Sequence, residues 1–154
     1  MAGPRRRSRE IALQVIYQMD VSGELEPAEA LARYFDHLAG LRGVDEEEEE
    51  AGLPAPRIDR QLVEDLVKGV YAHRTDIDQT LVALSRNWRL ERMALVDRNI
   101  IRLALYELRY CEGVPVNVAI NEGVELAKRF GTAEGAAFVN GLLDRAVTEL
   151  EIRR

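Results

Sequence analysis

The sequence predicts an all-α protein of about seven helices joined by short connections. Apolar residues recur three and four positions apart along most of the chain, and no segment alternates with period two for long enough to make a strand. Gly, Pro and Ser-Gly punctuation falls between the periodic segments. With 154 residues, 47% of them hydrophobic, the chain can bury a core, and its expected organisation is a single helical domain over residues 1–154.

The first helix is expected over about Pro4 to Val21. Pro4 suits the first turn, where its missing N–H is no loss, and Ile11, Ala12, Val15, Ile16 and Met19 form one stripe. Ser22-Gly23 stops it. A second helix starts near Pro27 with Ala30, Leu31, Tyr34, Phe35 and Leu38 inward, and Gly40 or Gly43 ends it. From about 44 to 56 periodicity vanishes into an acidic linker with Gly52, Pro54 and Pro56. A third helix spans about Arg57 to His73, with Ile58, Leu62, Leu66 and Val70 one turn apart. Thr75 and Asp78 have the spacing of a capping box for a fourth helix, Asp76 to Asn87.

Trp88 begins a turn, and the longest helix covers about Leu90 to Cys111. Most of its circumference is apolar between Leu95 and Leu108, which predicts the central, most buried helix. Gly113 and Pro115 break the chain. The sixth helix runs from about Val116 to Phe130, with Ile120, Val124 and Ala127 inward and Gly131 as its cap. The seventh spans about Glu134 to Glu149, with Phe138, Val139, Leu142, Leu143 and Ala146 inward. Asn140 and Gly141 are poor helix formers in its interior, which reads as close packing at Gly141 and a backbone hydrogen bond from Asn140.

Composition removes several classes of function. No apolar run approaches the roughly 20 residues that span a bilayer, and Glu10, Gln14 and Asp20 interrupt what a secretory signal would need. One cysteine, Cys111, allows no intrachain disulfide and suits a reducing cytoplasm. His37 and His73 lack a metal-ligand neighbour at suitable spacing. No phosphate loop, nucleophile elbow or Cys/His pair is present, and Ser8, Ser22 and Ser85 have no histidine nearby in sequence. The expectation is a protein without enzymatic activity, cofactor or metal.

Charge is the informative anomaly. The net charge of −6 argues against nucleic acid, yet the six consecutive acids Asp45 to Glu50 account for all of it. The amino end, residues 1–9, is a basic arm carrying Arg5, Arg6, Arg7 and Arg9. Cations in a first helical turn oppose the macrodipole by roughly 0.3–1 kcal/mol each, so stability alone does not place them there. Arginine suits bidentate phosphate contact and base stacking. Lys128, Arg129 and Phe130 form a second basic and aromatic cluster. Cations at that helix end are favoured by the dipole; Phe130 could stack on an unpaired base, although periodicity alone places Phe130 and Phe138 in the core.

The runs RRRSREIALQVIYQMD, VDRNIIRLALYEL, VPVNVAINEGVELAKRFG and FVNGLLD resemble, in order and spacing from about Arg5 to Asp144, the NusB family of bacterial transcription antitermination factors. The resemblance implies two packed three-helix bundles with an N-terminal helix. It implies binding to the box A element of nascent RNA together with NusE, a small-subunit ribosomal protein. It further implies assembly with other Nus factors on RNA polymerase, and suppression of premature termination, notably in ribosomal RNA operons. By position, the RNA face would comprise Arg5, Arg6, Arg7 and Arg9 with Phe130, Glu134 and Phe138. The NusE face would lie near Tyr17 and, on the long helix, near Asp97 and Arg102, polar positions that a partner could cover. The chain departs from the family pattern at Ala137, where a basic residue is expected, and in the length and charge of its acidic linker.

Three other readings compete. NusB-like domains also begin RNA cytosine methyltransferases; with no methyl-donor domain within its 154 residues, this chain would fit that reading only as an N-terminal fragment. A helical protein-interaction module would have little RNA role. A homodimer would hide the RNA face.

Overall fold

A computed structural model describes residues 4–23, 25–37, 58–86 and 92–153. Within them the apolar stripes become seven helical segments and no strand. These are α1 (Pro4–Ser22), α2 (27–37), α3 (Arg60–Ala72), α4 (Arg74–Ser85), α5 (Leu95–Tyr110), α6 (Val116–Phe130) and α7 (Gly135–Glu149). None is long and apolar enough to cross a membrane. The expected linker over 44–56, the stop at Gly40 or Gly43, and Leu38 and Trp88 lie outside the described residues. Two units emerge, Met1–Lys68 and Gly69–Arg154, with the boundary inside α3.

In the first unit α1 is buried around its circumference over residues 8–13 and on one face beyond them. Ser8 to Leu13 are six consecutive buried residues, followed by Val15, Ile16 and Met19; Gln14, Tyr17, Gln18 and Val21 face out. Gly23 adopts φ +73° and donates its N–H to the Met19 carbonyl at 3.0 Å, a left-handed cap that glycine adopts without steric penalty. Ala30 and Leu31 of α2 and Val63, Leu66 and Val67 of α3 are also buried. Asp59 accepts the Leu62 N–H on Oδ1 at 3.1 Å and so caps the start of α3.

The second unit is organised on α5, which packs against α4, α6 and α7. Ile100, Ile101, Leu103, Leu105 and Leu108 are at most 1% exposed; each such side chain stabilises by about 1.5–3 kcal/mol on burial. Ile77, Leu81 and Leu84 of α4 are buried, as are Leu126 and Ala127 of α6 and Val139, Leu142, Leu143 and Ala146 of α7. The close crossing is at Gly123, where a Cβ would lie 3.1 Å from Leu143 Cδ1 and 3.2 Å from the Ala104 Cβ.

Four local expectations give way. Arg92 to Ala94 are not α-helical, so α5 begins at Leu95 and not near Leu90. The inward residues of α6 include Ala119, Gly123, Leu126 and Ala127, while Ile120 and Val124 are half-buried. Thr75 does not cap α4. The His73 N–H donates to Gly69 O and the His73 carbonyl accepts from the Ile77 N–H, so α3 runs into α4 at His73 without a side-chain cap. Asn140 and Gly141 are exposed, and nothing approaches within 4 Å of a Cβ built on Gly141; packing does not explain either residue.

Candidate nucleic-acid interface

The arm is the first two turns of α1, and its arginines are not equivalent. Arg5 is exposed, Arg6 and Arg7 are half-buried, and Arg9 is 5% exposed among neighbours that include buried Ser8 and Glu10. The arm is anchored from below. Ser8 Oγ accepts the backbone N–H of Asp59 at 2.8 Å, and buried Glu10 accepts Arg7 Nη1 at 2.9 Å. Arg5 is therefore the most exposed of the arm's cations, Arg6 and Arg7 are partly accessible, and Arg9 is buried. Burial raises the Tyr34 hydroxyl pKa above its usual value, and the charge of Arg7 opposes that rise.

In the second unit the start of α5 with the residues before it, the turn after α6 and the start of α7 form a groove of about 560 Å³, lined by Met93, Ala94, Asp97, Thr132, Glu134 and Phe138 among others. Phe130 is 36% exposed, with the Arg129 guanidinium 5.3 Å from its ring centroid. Its helical position suggested the core, but it ends α6, where the chain turns away. Phe138 is half-buried and lines the groove, and Glu134 is exposed at the start of α7. Phe130, Glu134 and Phe138 are thus brought to one end of this unit.

Asp97 supports that turn from inside. It is 7% exposed, accepts the Thr132 hydroxyl on Oδ2 at 2.9 Å, and lies 3.4 Å from the Thr132 N–H through Oδ1. A Cβ on Gly131 or Gly135 would stand 2.6 Å from Asp97 Oδ1. The two glycines are therefore there to admit a carboxylate, a requirement their sequence spacing does not reveal. Gly131 has extended backbone, φ −84° and ψ −174°, so any residue could adopt its torsions. Gly131→Ala is expected to cost about 1–3 kcal/mol through overpacking, because the added Cβ also meets the Ala127 carbonyl at 2.7 Å. Urea unfolding measures this, and a loss below about 0.5 kcal/mol would show that the turn yields easily.

Arg102 is 4% exposed and fully engaged within the chain. Its Nε and Nη2 reach Asp78 Oδ1 and Oδ2 at 2.7 and 3.0 Å, and Nη1 reaches Asn99 Oδ1 at 3.1 Å. The polarity of Asp97 and Arg102 on an apolar helix thus has a partner inside the fold. Tyr17, by contrast, is 39% exposed on the outward face of α1 beside Val21. At the other end of α5, Tyr110 donates its hydroxyl to Asp76 Oδ2 and Arg109 Nη1 approaches the same oxygen at 2.7 Å. The Tyr110 hydrogen bond, chiefly, holds the Asp76 carboxyl below its usual range and lifts the Tyr110 hydroxyl above its own. His73 stacks on Tyr110 with ring centroids 3.8 Å apart. Among the described residues no group of three or more His, Cys, Asp or Glu is placed to hold a metal.

A sequence model of the NusB family matches residues 6–148. The chain is 43% identical over 148 residues to the transcription antitermination protein NusB of Myxococcus xanthus, spanning 96% of this chain and 97% of that protein. It is 41% identical over 149 residues to its namesake from Geobacter sulfurreducens, spanning 96% of each. Among solved structures, T. maritima NusB matches with a TM-score of 0.75 at 30% identity, over 97% of this chain and 94% of that one. The fold is also that of a chain in a complex of antitermination factors NusB and NusE with dsRNA, TM-score 0.73 at 22% identity, over 97% and 99% of the two chains.

Proposed function

The chain belongs to the NusB family, and from that membership we propose that it is a transcription antitermination factor that binds the box A element of nascent RNA together with NusE. In this reading it joins other Nus factors on RNA polymerase and suppresses premature termination, notably in ribosomal RNA operons. The observation that carries the RNA reading is the arm: Arg5, Arg6 and Arg7 are presented from ordered helical turns at the end where the macrodipole disfavours cations. The names of the relatives, which are those of antitermination factors, agree with the expectation of a protein that is not an enzyme.

RNA contact is assigned to the arm and, in the second unit, to Phe130, Glu134 and Phe138. Arg9, being buried, is the least accessible of the arm's four arginines. Contact with NusE is assigned to the outward face of α1 at Tyr17 and to the surface around Asp97 and Arg102, whose side chains shape that surface through Thr132 and Asp78. A gel shift with box A RNA, using the protein alone and then with NusE, tests the proposal. A shift that strengthens with NusE is expected; no shift in either lane overturns it.

Phe130→Ala is expected to weaken RNA binding by roughly 1–3 kcal/mol if its ring stacks on a base. The salt dependence should stay unchanged, because stacking releases no counterions. Fluorescence anisotropy at several salt concentrations separates the two, and unaltered affinity would remove Phe130 from the interface.

A further inference from the structure

We propose that Arg60 and Phe35, with Tyr34 beside them, form a nucleobase-stacking step for single-stranded RNA next to the arm in the first unit. The inference rests on the RNA-binding reading above and extends it to residues that the family resemblance does not assign.

The starting observation is a positioned cation. The Arg60 guanidinium carbon lies 4.1 Å from the centroid of the Phe35 ring. Glu64 Oε1 stands 3.6 Å from Arg60 Nε, one turn along α3, and steadies the side chain from the side. The Arg60 side chain nevertheless keeps 65% of its surface in solvent. Arginine ordinarily loses much rotamer freedom when it binds; one already seated on an aromatic ring has less to lose. Its solvent side offers both a charge for phosphate and a plane on which an unpaired base can lie.

The second observation is continuity with the arm. Asp59, the residue before Arg60, donates its backbone N–H to Ser8 Oγ at 2.8 Å, inside the run of arm arginines. Tyr34 packs edge-on against Phe35, with ring centroids 5.8 Å apart and an interplanar angle of 86°. The charge of Arg7 reaches the Tyr34 hydroxyl. The arm, the ring pair and Arg60 are thus neighbours within one unit, with aromatic rings interleaved among cations. Three of the nearby acids have partners: Glu10 with Arg7, Glu64 with Arg60, and Asp59 with the start of α3. Cations alternating with aromatic faces are the pattern of single-strand recognition, where the backbone follows the charges and the bases find the planes.

The test uses the full chain with NusE and a labelled single-stranded RNA containing box A and flanking nucleotides. Arg60→Lys keeps the charge and removes the plane; Arg60→Gln removes both; Phe35→Leu removes the ring beneath. All three should weaken RNA binding by about 5-fold or more, the lower end of what a stacking contact contributes. Arg60→Gln alone should also flatten the log–log salt slope, by about 0.7. Arg60 is exposed, so its variants should unfold at the wild-type temperature, and that is checked on the same samples. If both Arg60 variants and Phe35→Leu bind as the wild type does while a variant with Arg5, Arg6 and Arg7 all replaced by Ala is weakened, the stacking step is overturned and the arm reading stands. If the wild type fails to bind, the RNA reading itself falls. If the three variants lose affinity for NusE without RNA present and not for RNA, the surface belongs to a protein and the inference is overturned.

Discussion

Asp78→Ala is expected to destabilise the chain by about 3–5 kcal/mol, which lowers Tm by roughly 2–4 °C for each kcal/mol in a protein of this size. The reason is what remains behind. Arg102 is buried on the central helix, and Asp78 supplies two of its hydrogen bonds in a forked geometry. Without that carboxylate the guanidinium keeps Asn99 Oδ1 but loses the counter-charge that Asp78 supplies. Guanidinium cannot shed its proton to escape the penalty. The partial exposure of the Asp78 side chain, 22%, admits some water and favours the lower end of the range. A second variant isolates the cause: Asp78→Ala with Arg102→Met removes the charge as well as its partner, so a good part of the lost stability should return. Urea unfolding of both proteins measures the difference. Equal stability of Asp78→Ala and wild type would mean that the pair is not a determinant of the fold.

The triple replacement Arg5→Ala, Arg6→Ala and Arg7→Ala is expected to weaken RNA binding on the order of a hundredfold near physiological salt, taking about 1 kcal/mol for each charged contact. The fold should survive. Arg5 is exposed, and cations at a helix N-terminus are unfavourable for helix stability. A structural cost falls on buried Glu10, which loses its contact with Arg7. Anisotropy with box A RNA measures the affinity, and thermal unfolding of the same samples checks the fold. A variant that stays folded and binds RNA at wild-type strength would move the interface away from the arm.

Local features were legible where one helix face decided the outcome. The stripe of Ile11, Ala12, Val15, Ile16 and Met19 is buried, α6 spans the expected residues, and the helix expected at the centre, α5, is central, although α1 and not α5 is the longest described helix. Legibility ended where a residue's partner lies far along the chain. Asp78 has the spacing of a cap, but its carboxylate goes to Arg102, 24 residues away. Asp97 and Arg102 look like a surface awaiting a partner, but Thr132 and Asp78 satisfy them from 35 and 24 residues away. Gly131 reads as an ordinary helix stop, whereas its role is to leave space for the Asp97 carboxylate. The arm's charge was plain in sequence, but the burial of Arg9 and the anchoring of Ser8 on Asp59 depend on tertiary packing. Arg60 and Phe35 carried no signal, because a cation–ring contact across 25 residues has no period to detect.

In the proposed mode of binding the helical arginine arm holds RNA through phosphate. The most direct test is the salt dependence of box A RNA binding in the presence of NusE, measured for the wild type and for the triple arm variant. Each phosphate neutralised on a single strand contributes about 0.7 to the log–log slope. The wild-type slope should therefore exceed the variant's by about 2. Equal slopes would contradict the claim, whatever the affinities.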